Sequence, residues 1–182
     1  MHQANAGHGP ALLTAYRKAL SLGCDWIFHV DSDDQFLTAD FWKLWDRRSV
    51  LPYLAGFRAA RGDGPHRRLI SRGLALLDWA LFGVRIRDAN IPFRLLRADL
   101  LEELLAEIPP DVYSPNVFIA VLAASAGVDL CETPVAHKDR ATGTPMMNTW
   151  VKLLKVSLRC ARELNSFRRD LGPAAERVKA HG

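Results

Sequence analysis

Two carboxylates one residue apart, Asp31 and Asp33, directly follow an apolar segment and are the first candidates for chemistry. That segment, residues 24–30, is rich in β-forming side chains and predicts a buried strand. Carboxylates held where such a strand ends offer a hard divalent cation its preferred oxygen ligands and leave positions open for substrate phosphates. Aspartate is also common in solvated turns, so an acidic turn without a ligand is the alternative interpretation.

Arginines form the second candidate group, because a guanidinium group binds phosphate through paired hydrogen bonds. Most of them fall in segments that contain glycine or proline, where binding loops are typically found. A solvated basic surface is the other interpretation, and it fits any single arginine equally well. The arginines concerned are Arg58, Arg61, Arg67, Arg68 and Arg72, then Arg85, Arg87 and Arg94 around Asp88, and finally Arg140.

Asp88 and His29 are two further titratable residues, each with two interpretations. The carboxylate of Asp88 could accept a proton from an incoming hydroxyl, or it could pair with the neighbouring arginines. His29 lies inside the predicted strand, and this position favours a hydrogen-bonded core histidine.

The elements that must position these residues alternate between helix and strand, which predicts an α/β fold with a mixed sheet flanked by helices. Pro10 suits the first turn of a helix and Gly23 its end, and Thr38 is a candidate N-cap. Residues after 169 are predicted to fray. Helices are predicted over residues 10–22, 38–47, 66–82, 99–107, 116–126 and 148–169, and strands over residues 24–30, 53–57, 91–96 and 128–136.

The composition is that of an ordinary globular chain of 182 residues, with 49% hydrophobic residues, 24% charged residues and a net charge of +4. The longest apolar run, residues 74–84, is interrupted by Asp78 and is too short to span a bilayer. The three cysteines, Cys24, Cys131 and Cys160, are far apart and form no C-x-x-C pair, which fits a reducing cytoplasm. The polar N-terminal residues do not resemble a signal peptide. No helix-turn-helix or RNP-like segment is visible, so no nucleic-acid partner is expected.

The last predicted helix is amphipathic and basic. Such a helix can lie on an anionic membrane, which predicts peripheral contact at the inner face of the membrane. Packing of its apolar stripe against the rest of the domain is the alternative and the more common arrangement. The stripe comprises Trp150, Leu153, Leu154, Leu158, Ala161 and Leu164, and the flanking cations are Lys152, Lys155, Arg159 and Arg162.

Taken in order, several segments resemble the core signature of the family 2 (GT-A type) glycosyltransferases. Residues 5–11 read Asn-Ala-Gly-His-Gly-Pro-Ala, and residues 25–35 read Asp-Trp-Ile-Phe-His-Val-Asp-Ser-Asp-Asp-Gln. Residues 56–72 resemble an arginine-rich acceptor segment, residues 87–94 a segment with an Asp and a Phe-Arg pair, and residues 135–143 a late arginine loop. The branch that looks most similar is that of the polyprenyl-phosphate glycosyltransferases, such as the dolichol-phosphate mannose synthases.

The resemblance implies an inverting sugar transfer from a nucleotide-sugar donor, assisted by Mg²⁺ or Mn²⁺. It assigns the metal to Asp31 and Asp33, with Gln35 as a further ligand, and gives Arg140 a second contact to the donor diphosphate. A lipid-phosphate acceptor is already ionised and needs no base, whereas a sugar hydroxyl acceptor would make Asp88 the candidate catalytic base. The residues expected to clamp a lipid phosphate are Arg58, Arg61, Arg67 and Arg72.

The sequence departs from the family pattern at its start. The family normally opens with strand, helix and strand elements that read the nucleotide base, and no counterpart is visible here. We therefore expect residues 1–147 to form a partial GT-A domain lacking the first strands, with a sheet edge open at residues 24–30. Residues 148–182 are expected to form a C-terminal amphipathic helix and tail. The alternatives are a catalytically inactive fragment or partner-dependent module of such an enzyme, and a different metal-dependent nucleotidyl or phosphoryl transferase.

Overall fold

A computed structural model describes residues 7–58, 82–138 and 150–181, without the side chains of residues 150–154, 157, 180 and 181. Helices and strands alternate along most of this part of the chain, as the sequence predicts. The helices are α1 (His8–Leu20), α2 (Phe41–Trp45), α3 (Ala98–Glu107), α4 (Pro115–Ser125) and α5 (Trp150–His181), and a 3-10 turn (Thr38–Asp40) precedes α2. The strands are β1 (Trp26–Val30), β2 (Tyr53–Arg58), β3 (Phe93–Arg97) and β4 (Leu130–Val135).

The four strands form one mixed sheet in the order β1-β3-β2-β4. Strand β3 is antiparallel to both of its neighbours, and β2 is parallel to β4. The α/β fold with a mixed open sheet flanked by helices is therefore confirmed, and it is consistent with a partial GT-A-like fold. Within the described residues β1 pairs only with β3, so the predicted open edge is present, and Val30 at the end of β1 is 42% exposed.

Helices cover both faces of β1. Since successive side chains of a strand point to opposite faces, neighbouring residues of β1 contact different helices. His29 contacts Tyr16 of α1 on one face, whereas Phe28 packs edge-to-face on Phe41 of α2 on the other. Helix α4 is buried along nearly its whole length and packs against α1, α3 and α5. The acidic segment that follows β1 is therefore anchored by a strand whose two faces both contribute to the core.

Helix α1 closely approaches the segment that precedes α4. A Cβ atom at Gly9 would lie 1.9 Å from the carbonyl oxygen of Val112, so only glycine fits at this position without movement of the backbone. This close packing orients Tyr16, about two helical turns further along, towards the sheet.

The expectation that the chain frays after residue 169 is wrong. Helix α5 continues to His181, because an apolar stripe of Leu171, Ala174, Ala175 and Val178 continues at helical spacing and is buried against the domain. Arg177 also donates two hydrogen bonds to Glu107 of α3. The tail is therefore part of the packed structure.

The apolar stripe proposed for a membrane surface is only partly buried where its side chains are described, and Ala161 within it is half-buried. Leu164 is fully buried and Cys160 beside it is buried, whereas Leu158 is 48% exposed. The side chains of Trp150, Leu153 and Leu154 lie outside the described residues. None of the helices in the described ranges has the length and apolar character needed to cross a membrane.

Candidate functional site

The acidic turn directly after β1 is held by its own backbone. Asp34 adopts a left-handed conformation with φ of 56°, which aspartate tolerates better than most residues. The carboxylate of Asp33 accepts a hydrogen bond of 3.3 Å from the backbone N–H of Gln35, a local turn that aspartate commonly forms. The left-handed residue and this local hydrogen bond together fix where Asp33 lies.

A cleft of about 560 Å³ adjoins this turn. Asp31, Ser32 and Asp34 lie among its lining residues, and Asp33 does not, so the predicted convergence of Asp31 and Asp33 on one cleft is seen only for Asp31. The remaining wall is almost entirely apolar and comprises Phe28, Val30, Phe36, Leu37, Thr38, Phe41, Trp42 and Phe93.

Gln35 ties the acidic turn to the segment that follows β4. Its side-chain amide donates a hydrogen bond of 3.1 Å to the carbonyl oxygen of Lys138, and the N–H of Lys138 donates one of 2.8 Å to the carbonyl oxygen of Gln35. Phe36 and His137 form a further isolated bridge beside these bonds. The beginning of the predicted late arginine loop is therefore fixed next to the acidic turn, although Arg140 itself lies outside the described residues.

Arg58 and Asp88 form an ion pair at the end of β2. The guanidinium donates from Nε to Oδ2 at 2.7 Å and from Nη2 to Oδ1 at 2.9 Å, and Asp88 is only 8% exposed. Glu132 of β4 holds the backbone beneath this pair, because its Oε1 accepts the N–H groups of Arg87 at 2.8 Å and Asp88 at 3.4 Å. Burial raises the pKa of Glu132, and these N–H groups counteract that effect.

Arg94 does not belong to the arginines around Asp88, contrary to the expectation from its position in the sequence. It is fully buried, and its guanidinium donates to the carbonyl oxygens of Ala89, Ile91 and Asn116 and to the hydroxyl of Tyr53. A buried cation needs its donors satisfied, and here neutral oxygens satisfy them. Arg94 therefore organises the core between β3, β2 and α4.

His29 is a hydrogen-bonded core histidine, as its position within the strand predicts. Its Nδ1 lies 2.9 Å from the hydroxyl of Tyr16, and its Nε2 lies 3.8 Å from Oδ1 of Asp31. Burial lowers the pKa of His29 from its ordinary 6.5 to about 4, and the positive charges of Arg94 and His8 act in the same direction. The imidazole is therefore neutral near neutral pH.

The acidic turn carries the type of donor atom that a hard divalent cation prefers. Asp31 and Asp33 supply carboxylate oxygens, the ligands that Mg²⁺ and Mn²⁺ prefer. In the three described ranges no cluster of three or more histidine, cysteine, aspartate or glutamate side chains could enclose a metal. Only Asp31 of this pair lines the cleft, so the binding of one cation by both carboxylates stays a prediction.

The structure describes only part of the predicted site. Arg61, Arg67, Arg72 and Arg140 lie outside the described residues, so their predicted roles stay predictions. Sequence analysis did not identify Tyr16, Asn116 and Glu132, and it grouped Arg94 with the arginines around Asp88. No spacing in the sequence could pair Tyr16 with Asn116, since 100 positions separate them.

Comparison with known proteins finds similarity to curated transferases. The chain is similar to the undecaprenyl-phosphate 4-deoxy-4-formamido-L-arabinose transferases of three Pseudomonas aeruginosa strains, LESB58, UCBPP-PA14 and PAO1. Each is 28% identical over 140 residues, which make up 76% of this chain. The aligned part spans only 39% of the length of these curated relatives. No protein-family profile matches the sequence. This similarity to a polyprenyl-phosphate sugar transferase supports, at a general level, the resemblance of the chain to glycosyltransferases.

Proposed function

We propose that this protein is a metal-dependent glycosyltransferase of the family 2 type that moves a sugar from a nucleotide-sugar donor to a polyprenyl phosphate. The observation that carries the proposal is the pair of hydrogen bonds between Gln35 and Lys138. They join the acidic turn to Lys138, two positions before Arg140 in the sequence, and this supports a cationic contact to the donor near the carboxylates. The relatives named above act on an undecaprenyl phosphate, which supports the lipid acceptor.

The acidic turn is the proposed donor site. Asp31 and Asp33 would hold Mg²⁺ or Mn²⁺, with the side-chain oxygen of Gln35 as a further ligand. When bound, the cation supplies positive charge beside the donor diphosphate and so stabilises the leaving group. Arg140 would contact the same diphosphate as a second, fixed positive charge.

The acceptor site is proposed at the end of β2, where Arg58 lies. Arg58, together with Arg61, Arg67 and Arg72, would bind the phosphate of the lipid. Both carboxylate oxygens of Asp88 already accept hydrogen bonds from Arg58, which fixes the plane of the guanidinium. This pairing favours a phosphate acceptor over a sugar hydroxyl, because a hydroxyl would need an oxygen of Asp88 as its base and a phosphate would not.

Contact with a membrane surface is part of the proposal, since the acceptor is a lipid. Helix α5 presents exposed cations along its described length, which attract anionic headgroups at the inner face of a membrane. Leu158 adds an exposed apolar side chain on the same helix. The exposed cations are Lys155, Arg159, Arg162, Arg168, Arg169, Arg177 and Lys179.

A second candidate function is a module whose activity depends on a partner. The observation in its favour is the edge strand β1, where Val30 is 42% exposed and Trp42 of α2 beside it is 58% exposed. An open edge with apolar side chains is suited to pairing with another chain.

The test is an assay of sugar transfer. Purified protein is incubated with Mn²⁺, polyprenyl phosphate in detergent and radiolabelled UDP- or GDP-sugars, and the lipid fraction is counted. Label in the lipid fraction that disappears with EDTA, and in Asp31→Asn and Asp33→Asn, is the expected result. Asp46→Asn, an exposed aspartate after α2, serves as the matched control that keeps activity. Lack of transfer by a folded monomer, with transfer restored by a binding partner, would favour the second candidate.

A further inference from the structure

A carboxylate of β4 holds the backbone on which Asp88 stands. Oε1 of Glu132 accepts a hydrogen bond of 2.8 Å from the N–H of Arg87 and a longer one of 3.4 Å from the N–H of Asp88. Glu132 is half-buried, and the parallel pairing of β4 with β2 places it opposite Ala55, three residues before Arg58. Glu132 therefore connects β4 with the segment whose carboxylate binds Arg58.

The segment that carries Asp88 is held by further contacts on its other sides. The N–H of Ile91 donates a hydrogen bond of 3.1 Å to the carbonyl oxygen of Asp88, which closes a tight turn. The buried guanidinium of Arg94 donates to the carbonyl oxygen of Ile91 at the end of this turn. At its beginning the side chain of Arg87 lies over the ring of Phe57, with the guanidinium carbon 4.6 Å from the ring centre. The backbone N–H groups at this beginning are the ones that Glu132 accepts.

The carboxylate of Asp88 in turn sets the plane of the guanidinium of Arg58. It accepts hydrogen bonds from Nε and Nη2 at 2.7 and 2.9 Å. A planar guanidinium held at two of its nitrogen atoms has a fixed orientation, so the direction of the third nitrogen, Nη1, is fixed as well. Donors that already point in the required direction bind a phosphate more tightly than donors that must first be ordered.

We propose that Glu132 is a positioning residue for acceptor binding. By accepting the N–H groups of Arg87 and Asp88 it orients the carboxylate of Asp88 and, through it, the guanidinium of Arg58 that receives a lipid phosphate. The inference rests on the proposed function, in which Arg58 binds that phosphate. It requires only an oxygen acceptor at this position, which a carboxylate and a neutral amide both provide. Because the contacts of Ile91 and Arg94 remain, we expect loss of the acceptor to weaken phosphate binding by about threefold to tenfold.

Two substitutions of similar size separate the acceptor from the bulk of the side chain. Glu132→Gln keeps an oxygen acceptor, whereas Glu132→Met has a similar length and only a weakly accepting sulfur. Binding of farnesyl phosphate, a short polyprenyl phosphate, is measured by calorimetry. Glu132→Gln should stay within about twofold of wild type, and Glu132→Met should bind about threefold to tenfold more weakly. Asp129→Asn, an exposed aspartate just before β4, is the control for the loss of a negative charge and should bind like wild type.

A double-mutant cycle with Arg58→Lys tests whether Glu132 acts through Arg58. In the Arg58→Lys protein, Glu132→Met should change the affinity for farnesyl phosphate by less than about twofold, because the guanidinium that Glu132 orients is gone. A merely structural role would instead weaken binding by the same factor in both proteins. The NMR signal of the Nε–H of Arg58, identified by its absence from Arg58→Lys, is a second readout. Its exchange with solvent should be slow in wild type and Glu132→Gln and faster in Glu132→Met, and thermal unfolding checks that each variant is folded.

The outcomes separate this inference from the proposed function. Equal affinity of wild type, Glu132→Gln and Glu132→Met for farnesyl phosphate overturns the positioning role alone. An equal loss in Glu132→Gln and Glu132→Met also overturns it, since the charge and not the acceptor would then matter, and so does an equal effect of Glu132→Met with and without Arg58→Lys. Absence of farnesyl phosphate binding by the wild-type protein overturns the proposed acceptor site and this inference with it.

Discussion

Arg58 and Asp88 are joined by two hydrogen bonds of 2.7 and 2.9 Å, although 30 positions separate them in the sequence. Sequence analysis gives these residues different candidate roles, one in acceptor binding and one as a base. In the structure they form one unit, whose backbone at Asp88 is held by Glu132 of the neighbouring strand β4. A substitution of either residue will therefore affect the other.

Asp88→Asn should destabilise the protein by about 3 kcal/mol, because removal of one partner leaves the charge of Arg58 poorly compensated in a buried place. The side chains are only 6% and 19% exposed, so solvent screens the pair weakly. Arg58→Lys keeps the charge but loses the second hydrogen bond, and we expect about 1 kcal/mol. Urea unfolding measures both. Equal stability of Asp88→Asn and wild type would show that the pair contributes nothing to the fold.

Arg58→Lys should also change the KM of the two substrates of the proposed reaction to different extents. A lysine cannot present two parallel N–H donors to a phosphate, so the KM for polyprenyl phosphate should rise by about tenfold. The KM for the nucleotide sugar should stay within about twofold, since the donor is assigned to the acidic turn. Steady-state kinetics with each substrate varied in turn is the measurement. A rise confined to the donor KM would move Arg58 to the donor site.

The stability of the metal-free protein should fall as pH drops from about 6.5 to about 4. The pKa of His29 is lower in the folded protein, so the unfolded chain binds more protons in this window and acid favours unfolding. Above about pH 6.5 the full stability is present. The groups that face the ring are Tyr16 and His8 of α1, Arg94 of β3 and Asp31.

The loss in free energy of unfolding across this window is at most about 3 kcal/mol. This figure is the difference between the pKa of His29 in the unfolded chain, 6.5, and in the folded protein, about 4, converted at about 1.4 kcal/mol per pKa unit. Urea unfolding in EDTA, repeated across the window, measures it. His29→Gln, which cannot titrate, should have a flatter profile than wild type. Identical slopes for the two proteins would mean that His29 is not the titrating group.

Gly9→Ala should destabilise the protein by about 2 kcal/mol or more, because its methyl group would overlap the carbonyl oxygen of Val112. Gly172→Ala in α5 is the matched control: no atom lies within 4 Å of a Cβ there, and we expect a change below about 1 kcal/mol. Thermal unfolding compares the two. A neutral Gly9→Ala would show that α1 can move away from the segment before α4.

The packing of the C-terminal part of α5 predicts that the same substitution at two adjacent residues has a large effect on stability at one and a small effect at the other. Val178 is 3% exposed and Lys179 is exposed. Val178→Asp buries a charge and should cost about 3 kcal/mol, whereas Lys179→Asp should change stability by less than about 0.5 kcal/mol. If both variants unfold like wild type, the helix does not dock beyond residue 169.

The acidic turn and the order of the elements could be predicted from local sequence. An apolar β-forming segment that ends in Asp31, Ser32 and Asp33 carries its own signal, since strand propensity and turn preference are properties of neighbouring residues. Hydrophobic periodicity likewise predicted the described helices and strands to within a few residues. It failed at the C-terminal end, where the burial that stabilises residues 171–178 comes from tertiary packing.

Which residues meet across the fold was decided only by the tertiary structure. Arg94 and Arg58 look alike in the sequence, yet one is fully buried on backbone carbonyls and the other pairs with Asp88. The reason is topological: antiparallel pairing with β1 and β2 places the side chain of Arg94 in the core, whereas Arg58 ends its strand. Lys138 can approach Gln35, 103 positions away, because β1 and β4 run in the same direction in the sheet and their carboxyl ends lie at one edge, which has no local signal in the sequence.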